Sequence, residues 1–134
     1  MAAGSQLIGK PFGRPWRKIV AAIVIRLDPS KLQNPDADLR YEIPGVLARR
    51  SAGLLKDNGY DYESDGDVMQ IYLLTPDLAR AVPEVVSFLE QESILGNRLA
   101  DGAQVGINES NAATVNKFKI VYPPDQSGEI EAPG

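Results

Sequence analysis

The spacing of hydrophobic residues predicts five strands and two helices. Short runs rich in Val, Ile and Tyr, bounded by Gly, Pro, Asn or Asp, indicate strands at 18–27, 54–62, 68–74, 103–108 and 115–122. The first helix is expected to start around Glu42 or Pro44 and to run to Ser51. The second starts at Thr75-Pro76-Asp77, where Thr75 can cap and Pro76 suits the first helical position, and Gly96 is expected to end it.

The first predicted strand, Lys18–Leu27, is apolar on both of its faces. Ile23 and Ile25 fall on one side, and Val20 and Val24 fall on the other. This pattern is typical of a strand in the middle of a sheet, where both faces are covered. We therefore expect this strand to lie between other strands.

The order of the elements is β-α-β-β-α-β, with one more strand appended at the C-terminal end. It predicts an α+β fold, namely a ferredoxin-like split βαβ arrangement in which two helices cover one face of an antiparallel sheet. Residues 17–122 are expected to form this single domain. Residues 1–16 are interpreted as a flexible basic N-terminal arm, and residues 123–134, rich in Pro and Gly, as a disordered C-terminal tail.

This arrangement leaves the second face of the sheet uncovered, and an apolar face of this kind needs a cover. Three covers are considered: a second copy of the chain, the N-terminal arm with Phe12 and Trp16, or a different protein. A symmetric homodimer is the commonest solution for soluble chains and is the expectation here. The side chains expected on this face are Val20, Ala22, Val24, Val68, Tyr72 and Leu74.

The amino-acid composition excludes several kinds of catalytic and metal-binding site. The chain has 134 residues, no His and no Cys. It therefore has no Ser-His-Asp triad, no thiol nucleophile, no disulfide and no Cys-rich zinc site. It also lacks the glycine-rich loops GxxxxGKS/T and GxGxxG that hold phosphates. We expect a protein that is not an enzyme and that carries no cofactor.

Charge is distributed unevenly along the chain, whose 14 basic and 18 acidic side chains give a net charge of −4. Residues 1–26 hold five basic and no acidic side chains, whereas residues 57–109 hold eleven acidic and two basic ones. The acidic part repels phosphate backbones, which argues against nucleic-acid binding by the folded body. The longest apolar run, Ile19–Ile25, is far shorter than the roughly 20 residues that cross a membrane, so we expect a cytoplasmic protein without membrane contact.

The densest polar cluster surrounds the predicted hairpin turn. An EF-hand alignment that starts at Asp61 fails because Tyr72 stands at the twelfth position, which requires a bidentate Glu, so no metal site is predicted. Tyrosines beside carboxylates are typical of a surface that binds a basic protein. The alternative is a charged hairpin tip that deters sheet-to-sheet aggregation. The candidate interface residues are Asp57, Tyr60, Asp61, Tyr62, Glu63, Asp65 and Asp67.

Functions from different classes fit these observations. The first is a small non-catalytic acidic binding protein that acts through a protein–protein interface, such as an inhibitor or immunity-type protein for a basic partner. The second is a dimeric ferredoxin-like regulatory module that binds a small ligand or a divalent cation. The third is a metal-dependent hydrolase that uses carboxylates of residues 57–67. Arg40 and Tyr41, near Arg49 and Arg50, are interpreted as part of an exposed helix end rather than as an anion site.

Overall fold

The computed structural model describes residues 20–64, 66–109 and 116–133, so the predicted N-terminal arm lies outside the described residues. The strands are β1 (Ala21–Leu27), β2 (Lys56–Tyr62), β3 (Met69–Thr75), β4 (Ser93–Ile94), β5 (Asn97–Arg98), β6 (Ala103–Asn108), β7 (Lys117–Tyr122) and β8 (Glu129–Glu131). The helices are α1 (Leu39–Arg50) and α2 (Leu78–Gln91), and short 3-10 turns lie at Pro29–Lys31 and Leu99–Gly102.

The main sheet is antiparallel and has β1 near its middle. Its strand order is β2-β3-β1-β6-β7-β8, and β4 pairs with β5 in a separate hairpin. β1 pairs with β3 on one side and with β6 on the other, as its two apolar faces predicted. The chain therefore has an α+β fold with a mostly antiparallel sheet and two helices.

The two helices and one face of the sheet enclose the larger core. In α2 the buried residues Ala81, Val85, Phe88 and Leu89 stand at positions i, i+4, i+7 and i+8, which lie on one helix face. They meet buried side chains of α1, β1, β3 and β6 in one cluster. Among the described residues, neither helix has the length and apolar character needed to cross a membrane.

The second face of the sheet is covered by the C-terminal strands of the same chain. Ala22 and Val24 of β1 lie in a small core with Phe118 of β7 and Ile130 of β8. Val24 is fully buried, and Ile130 is 4% exposed. β6 contributes Gly106, where a Cβ atom would lie 2.7 Å from the Cβ of Phe118 and 3.1 Å from Cγ1 of Val24. A residue without a Cβ is needed for this close approach.

This cover requires the sheet to curl strongly. Three strands separate β3 from β8 in the sheet, which would place them about 19 Å apart if the sheet were flat. Instead, Nε2 of Gln70 in β3 donates to the backbone carbonyl of Glu131 in β8 at 3.0 Å. The ring of Tyr72 also stacks on that of Phe118, with 6.1 Å between the ring centroids. The C-terminal strands therefore fold back across the second face.

The structure corrects the prediction of a disordered C-terminal tail over residues 123–134. Within that range Glu129–Glu131 pairs with β7, and Ile130 packs into the second core. One Ile between two Glu residues is the alternation of a half-buried strand. The segment is short and lies among Gly and Pro, so its composition concealed it.

The prediction of an uncovered second face is also corrected. Ala22 and Val24 are buried within one chain, because β7 and β8 lie over them. A second copy is not needed to bury these two residues. The remaining predicted face residues stay partly open: Val20 is exposed, and Val68, Tyr72 and Leu74 are half-buried.

Helix boundaries differ from the prediction in three places. α1 begins at Leu39, earlier than the predicted start at Glu42 or Pro44. α2 is capped by Asp77, whose side chain accepts from the backbone N–H of Arg80 at 3.2 Å, whereas Thr75 is the last residue of β3. Gly96 lies beyond the end of α2, in the turn between β4 and β5, where its φ is 80°.

Candidate functional site

β2 is an edge strand whose side chains are mostly exposed. It lies at one end of the sheet, next to β3, and only Tyr62 of its seven residues is half-buried. The pairing with β3 shifts between Asp57 and Tyr60, where Gly59 has a φ of 91°. This β-bulge adds one residue and so reverses the alternation of the strand. Asp57 therefore faces the same side as Tyr60 and Tyr62, the side of α1.

Three tyrosines form a cluster between β2 and α1. Tyr41, in the first turn of α1, packs edge-to-face against Tyr60, with 5.8 Å between the ring centroids. Tyr60 packs in the same way against Tyr62 at 5.9 Å. Tyr41 is 56% exposed and Tyr60 is 40% exposed. Exposed tyrosines in mutual contact are typical of a protein-binding surface.

Arg40 holds these tyrosines in place. Its guanidinium lies 4.5 Å from the ring centroid of Tyr41 and 5.4 Å from that of Tyr60. Its Nη1 donates to the Tyr62 hydroxyl at 3.2 Å and to the carbonyl of Ala37 at 2.9 Å. Its Nε is buried and has no hydrogen-bond partner among the described residues. These cation–π contacts and hydrogen bonds fix the rings before any partner arrives.

The contacts within the cluster also shift its pKa values. The hydrogen bond with Tyr60, followed by the neighbouring Arg40, lowers the pKa of Tyr41. The same hydrogen bond raises the pKa of Tyr60, which is the donor. Hydrogen bonds with Tyr41 and then Tyr62 raise the pKa of Arg40, so its guanidinium stays charged.

Carboxylates border the tyrosine cluster. Asp57 lies on β2 on the side of the rings, and Asp38 stands at the N-terminus of α1, where its charge acts on Tyr41. The predicted interface residue Asp61 pairs with Gln70 and faces the opposite side of the sheet, where its charge acts on Tyr72, so the structure does not bring it together with the tyrosines. Asp57 and Asp61 each accept one backbone N–H at 2.9 Å, and neither forms an ion pair with a described residue. We define the tyrosine–carboxylate surface as Asp38, Tyr41, Asp57, Tyr60 and Tyr62.

Glu63 does not belong to this surface, although the sequence grouped it with the interface residues. It lies on the opposite face of the sheet, in a bidentate ion pair with Arg26 of β1, with Nε–Oε2 at 2.6 Å and Nη2–Oε1 at 2.8 Å. Gln70 donates to the same carboxylate at 2.9 Å. The Arg26 hydrogen bond is the main cause that lowers the pKa of Glu63. Glu63 therefore has a structural role, and its assignment to the interface is corrected.

A cleft of about 350 Å³ lies beside the tyrosine–carboxylate surface. The predicted interface residue Asp67 lines this cleft, whereas Asp65 lies outside the described residues. Within the part of the chain that the structure describes, no group of three or more carboxylates is placed to hold a metal ion. The other side chains that form the cleft include Pro29, Pro35, Asp36, Tyr62 and Met69.

Sequence reasoning found the tyrosines of β2 but not their contacts on α1. It grouped Arg40 and Tyr41 with Arg49 and Arg50 at a helix end. In the structure Arg50 instead pairs with Glu84 of α2 at 2.8 Å, so α1 uses its two ends for different contacts. An adjacent Arg-Tyr pair has no motif, and its contact with β2 depends on the tertiary fold.

Comparison of the chain with models of protein families, with curated proteins and with solved structures finds no match.

Proposed function

We propose that this chain is a small acidic binding protein without catalytic activity, and that it binds a basic protein through the tyrosine–carboxylate surface. An inhibitor or immunity-type protein that masks a basic partner is the concrete form of this proposal. The observation that carries it is the exposed tyrosine pair Tyr41 and Tyr60, held by Arg40.

Tyrosine is well suited to such a surface. Its ring offers a large contact area, and it has only two side-chain torsions to order on binding. Arg40 already fixes the rings of Tyr41 and Tyr60, so less conformational entropy is lost when a partner arrives. Tyrosine and arginine are also the residues that most often dominate the energy of protein interfaces.

The charge of the surface supports a basic partner. Asp38 and Asp57 are exposed and form no ion pair with described residues, so they are available to cations of another protein. Residues 57–109 carry 2 − 11 = −9 charges in total. A field of this sign accelerates association with a basic protein, and added salt weakens it.

Capture of a partner by matched variants tests this proposal. The immobilised protein is exposed at low salt to a lysate of its source organism, and retained proteins are eluted with a salt gradient. We expect one basic protein at a stoichiometric level, lost with Tyr60→Ala and with Asp57→Lys. Asp125→Lys reverses an exposed charge in the loop after β7 and should retain it. Capture that is equal for Asp57→Lys and Asp125→Lys, or no capture at all, contradicts the proposal.

A second candidate function is a dimeric regulatory module that binds a small ligand. The cleft beside Tyr62 favours it, because ligand sites are concave and combine apolar walls with a few polar groups. A metabolite or Ca²⁺ that binds the folded state would raise the melting temperature of the wild-type protein and not that of Asp67→Ala. Light scattering would test the dimer.

We also infer that the fold is ferredoxin-like with an extension. The strands β2, β3, β1 and β6 lie in that order in the sheet, and α1 and α2 connect them in the sequence β-α-β-β-α-β. β7 and β8 then extend the sheet beyond β6. An experimental structure that pairs β1 with strands other than β3 and β6 would contradict this inference.

A further inference from the structure

The tyrosine–carboxylate surface has a candidate occupant within its own chain. Residues 1–19 lie outside the described residues and join the fold at Val20. We propose that the basic segment, residues 10–18, docks on the tyrosine–carboxylate surface of the same chain and competes there with the partner. We infer the docking of the basic segment from charge and distance alone. That the segment competes with a partner rests on the proposed function.

The two elements are complementary in charge. Residues 1–19 contain no acidic side chain, and their basic side chains are Lys10, Arg14, Arg17 and Lys18. The surface offers two carboxylates that form no ion pair with described residues, Asp38 and Asp57. Attraction between such groups acts over about 10 Å at 0.1 M salt.

The basic segment is long enough to reach the surface. Tyr60 pairs with Ile71, which pairs with Ile25, so Val20 and Tyr60 are five residues apart along the strand direction and two strands apart. This corresponds to roughly 20 Å. An extended chain covers about 3.4 Å per residue, so Arg14, six residues before Val20, reaches about 20 Å. The residues before Arg14 reach further.

The chemistry of the two elements also matches. The basic segment interleaves its cations with Phe12 and Trp16. A guanidinium can stack on an exposed tyrosine ring and pair with a nearby carboxylate at the same time. The aromatic side chains can pack against Tyr41 and Tyr60, which are partly exposed in the described structure.

Docking in the same chain has a consequence for the partner. A segment tethered this closely acts at an effective concentration on the order of millimolar. A weakly basic protein would not displace it, whereas a partner with more cations and a better fit would. The basic segment would therefore raise the selectivity of the surface.

Trp16 provides a direct probe, because it is the single Trp of the chain and lies inside the basic segment. The measurement is acrylamide quenching of Trp16 fluorescence in the full-length protein without any partner. At low salt we expect Trp16 to be shielded. The quenching constant should rise about twofold at 1 M salt, where screening releases the segment. The double variant Asp38→Asn, Asp57→Lys should show the high value already at low salt.

The controls separate this docking from the alternatives. Asp125→Lys should keep Trp16 shielded, and circular dichroism should show that each variant is folded. Shielding that grows with protein concentration would identify a second copy as the occupant and overturn docking in the same chain. If Trp16 stays shielded from acrylamide in the double variant, the segment docks elsewhere, for example near Tyr72 and Leu74, and the proposal is wrong. If Trp16 is fully accessible to acrylamide at low salt in the wild-type protein, the proposal is also wrong.

The outcome is distinguishable from that of the proposed function. If no partner is captured but Trp16 is shielded, the proposed binding function is contradicted, whereas the docking of the basic segment is supported. If a partner is captured but Trp16 is accessible to acrylamide, the proposed binding function is supported, whereas the docking of the basic segment is contradicted. If both hold, Arg14→Glu with Arg17→Glu should strengthen partner retention, because it weakens the competitor.

Discussion

Arg26 and Glu63 are 37 positions apart in the sequence and form a bidentate ion pair on the second face of the sheet. Their side chains are 32% and 20% exposed. Two glutamines also contact the pair, since Arg26 donates to Gln104 at 3.1 Å and Gln70 donates to Glu63 at 2.9 Å. The pair therefore connects the central strand to the end of the β2 edge strand.

Glu63→Gln should lower the free energy of unfolding by about 1–3 kcal/mol, because it removes the charge from a bidentate contact with a partly buried guanidinium. Urea unfolding at neutral pH measures this change. Asp125→Asn removes an exposed carboxylate and should change the free energy by less than about 0.5 kcal/mol.

The effect of Glu63 should also depend on pH. The ion pair lowers the pKa of Glu63 in the folded state, whereas an unfolded Glu titrates near about 4.3. The contribution of Glu63 is therefore present above that pH and is lost as the pH falls through the folded-state pKa. The stability difference between wild type and Glu63→Gln should shrink as the pH falls below about 4. A difference that stays constant down to the acid transition would contradict the ion-pair explanation.

Two Gly→Ala substitutions should have opposite effects. A Cβ at position 106 would lie 2.7 Å from the Cβ of Phe118, so Gly106→Ala should destabilise the protein by about 1–3 kcal/mol. At Gly45 in α1 the nearest atom is Nη1 of Arg49 at 3.6 Å, the far end of a flexible side chain. Gly45→Ala should stabilise by about 0.5–1 kcal/mol because Ala is the better helix former. Thermal unfolding of both variants tests the pair, and a stable Gly106→Ala protein would refute the close packing.

Ile130→Ala tests whether β8 covers the second face. Ile130 is almost fully buried against Val24 and Phe118, so its truncation should cost about 2–4 kcal/mol. Glu131→Ala keeps the backbone carbonyl that accepts from Gln70 and should cost less than about 0.5 kcal/mol. Equal urea midpoints for Ile130→Ala and wild type would show that β8 is dispensable.

Tyr72 should make the protein sensitive to alkaline pH. Burial, followed by the charges of Asp61 and Glu63, raises the pKa of Tyr72 to about 12. An unfolded Tyr titrates at about pH 10. The contribution of the neutral Tyr72 to the free energy of unfolding is therefore fully present below that pH, and it is lost as the pH rises toward 12. Urea unfolding across this range should show a smaller decline for Tyr72→Phe than for wild type. Ultraviolet titration in which all five tyrosines ionise together near about pH 10 would count against this prediction.

Local signals in the sequence predicted the regular elements well. The two-sided apolar pattern of Ala21–Leu27 predicted a central strand, and β1 lies between β3 and β6. The hydrophobic spacing of α2 predicted a helix with one buried face. These features depend on a few neighbouring residues, which a pattern captures directly.

Features that depend on distant contacts were not accessible in the same way. Ile130 stands in a polar, Gly- and Pro-containing segment, and nothing local shows that β8 covers β1. In the sequence, Glu63 has the features of a free surface carboxylate, because Arg26 lies beside it only in the folded chain. For the candidate site, the sequence identified Tyr60 and Tyr62, but their contacts with α1 follow from the fold.

The two-sided apolar character of β1 leaves its alignment underdetermined by hydrophobicity. A slip by one residue would exchange the two faces, and both would still be largely apolar, so burial alone does not select the observed pairing. Arg26 is the single charged residue of the strand, and a slip would turn its guanidinium into the helix-side core. The charge of Arg26 therefore helps to specify the register of β1, because it makes the shifted pairings energetically unfavourable. A strand made only of Ala, Ile, Val and Leu would lose its unique register in the sheet.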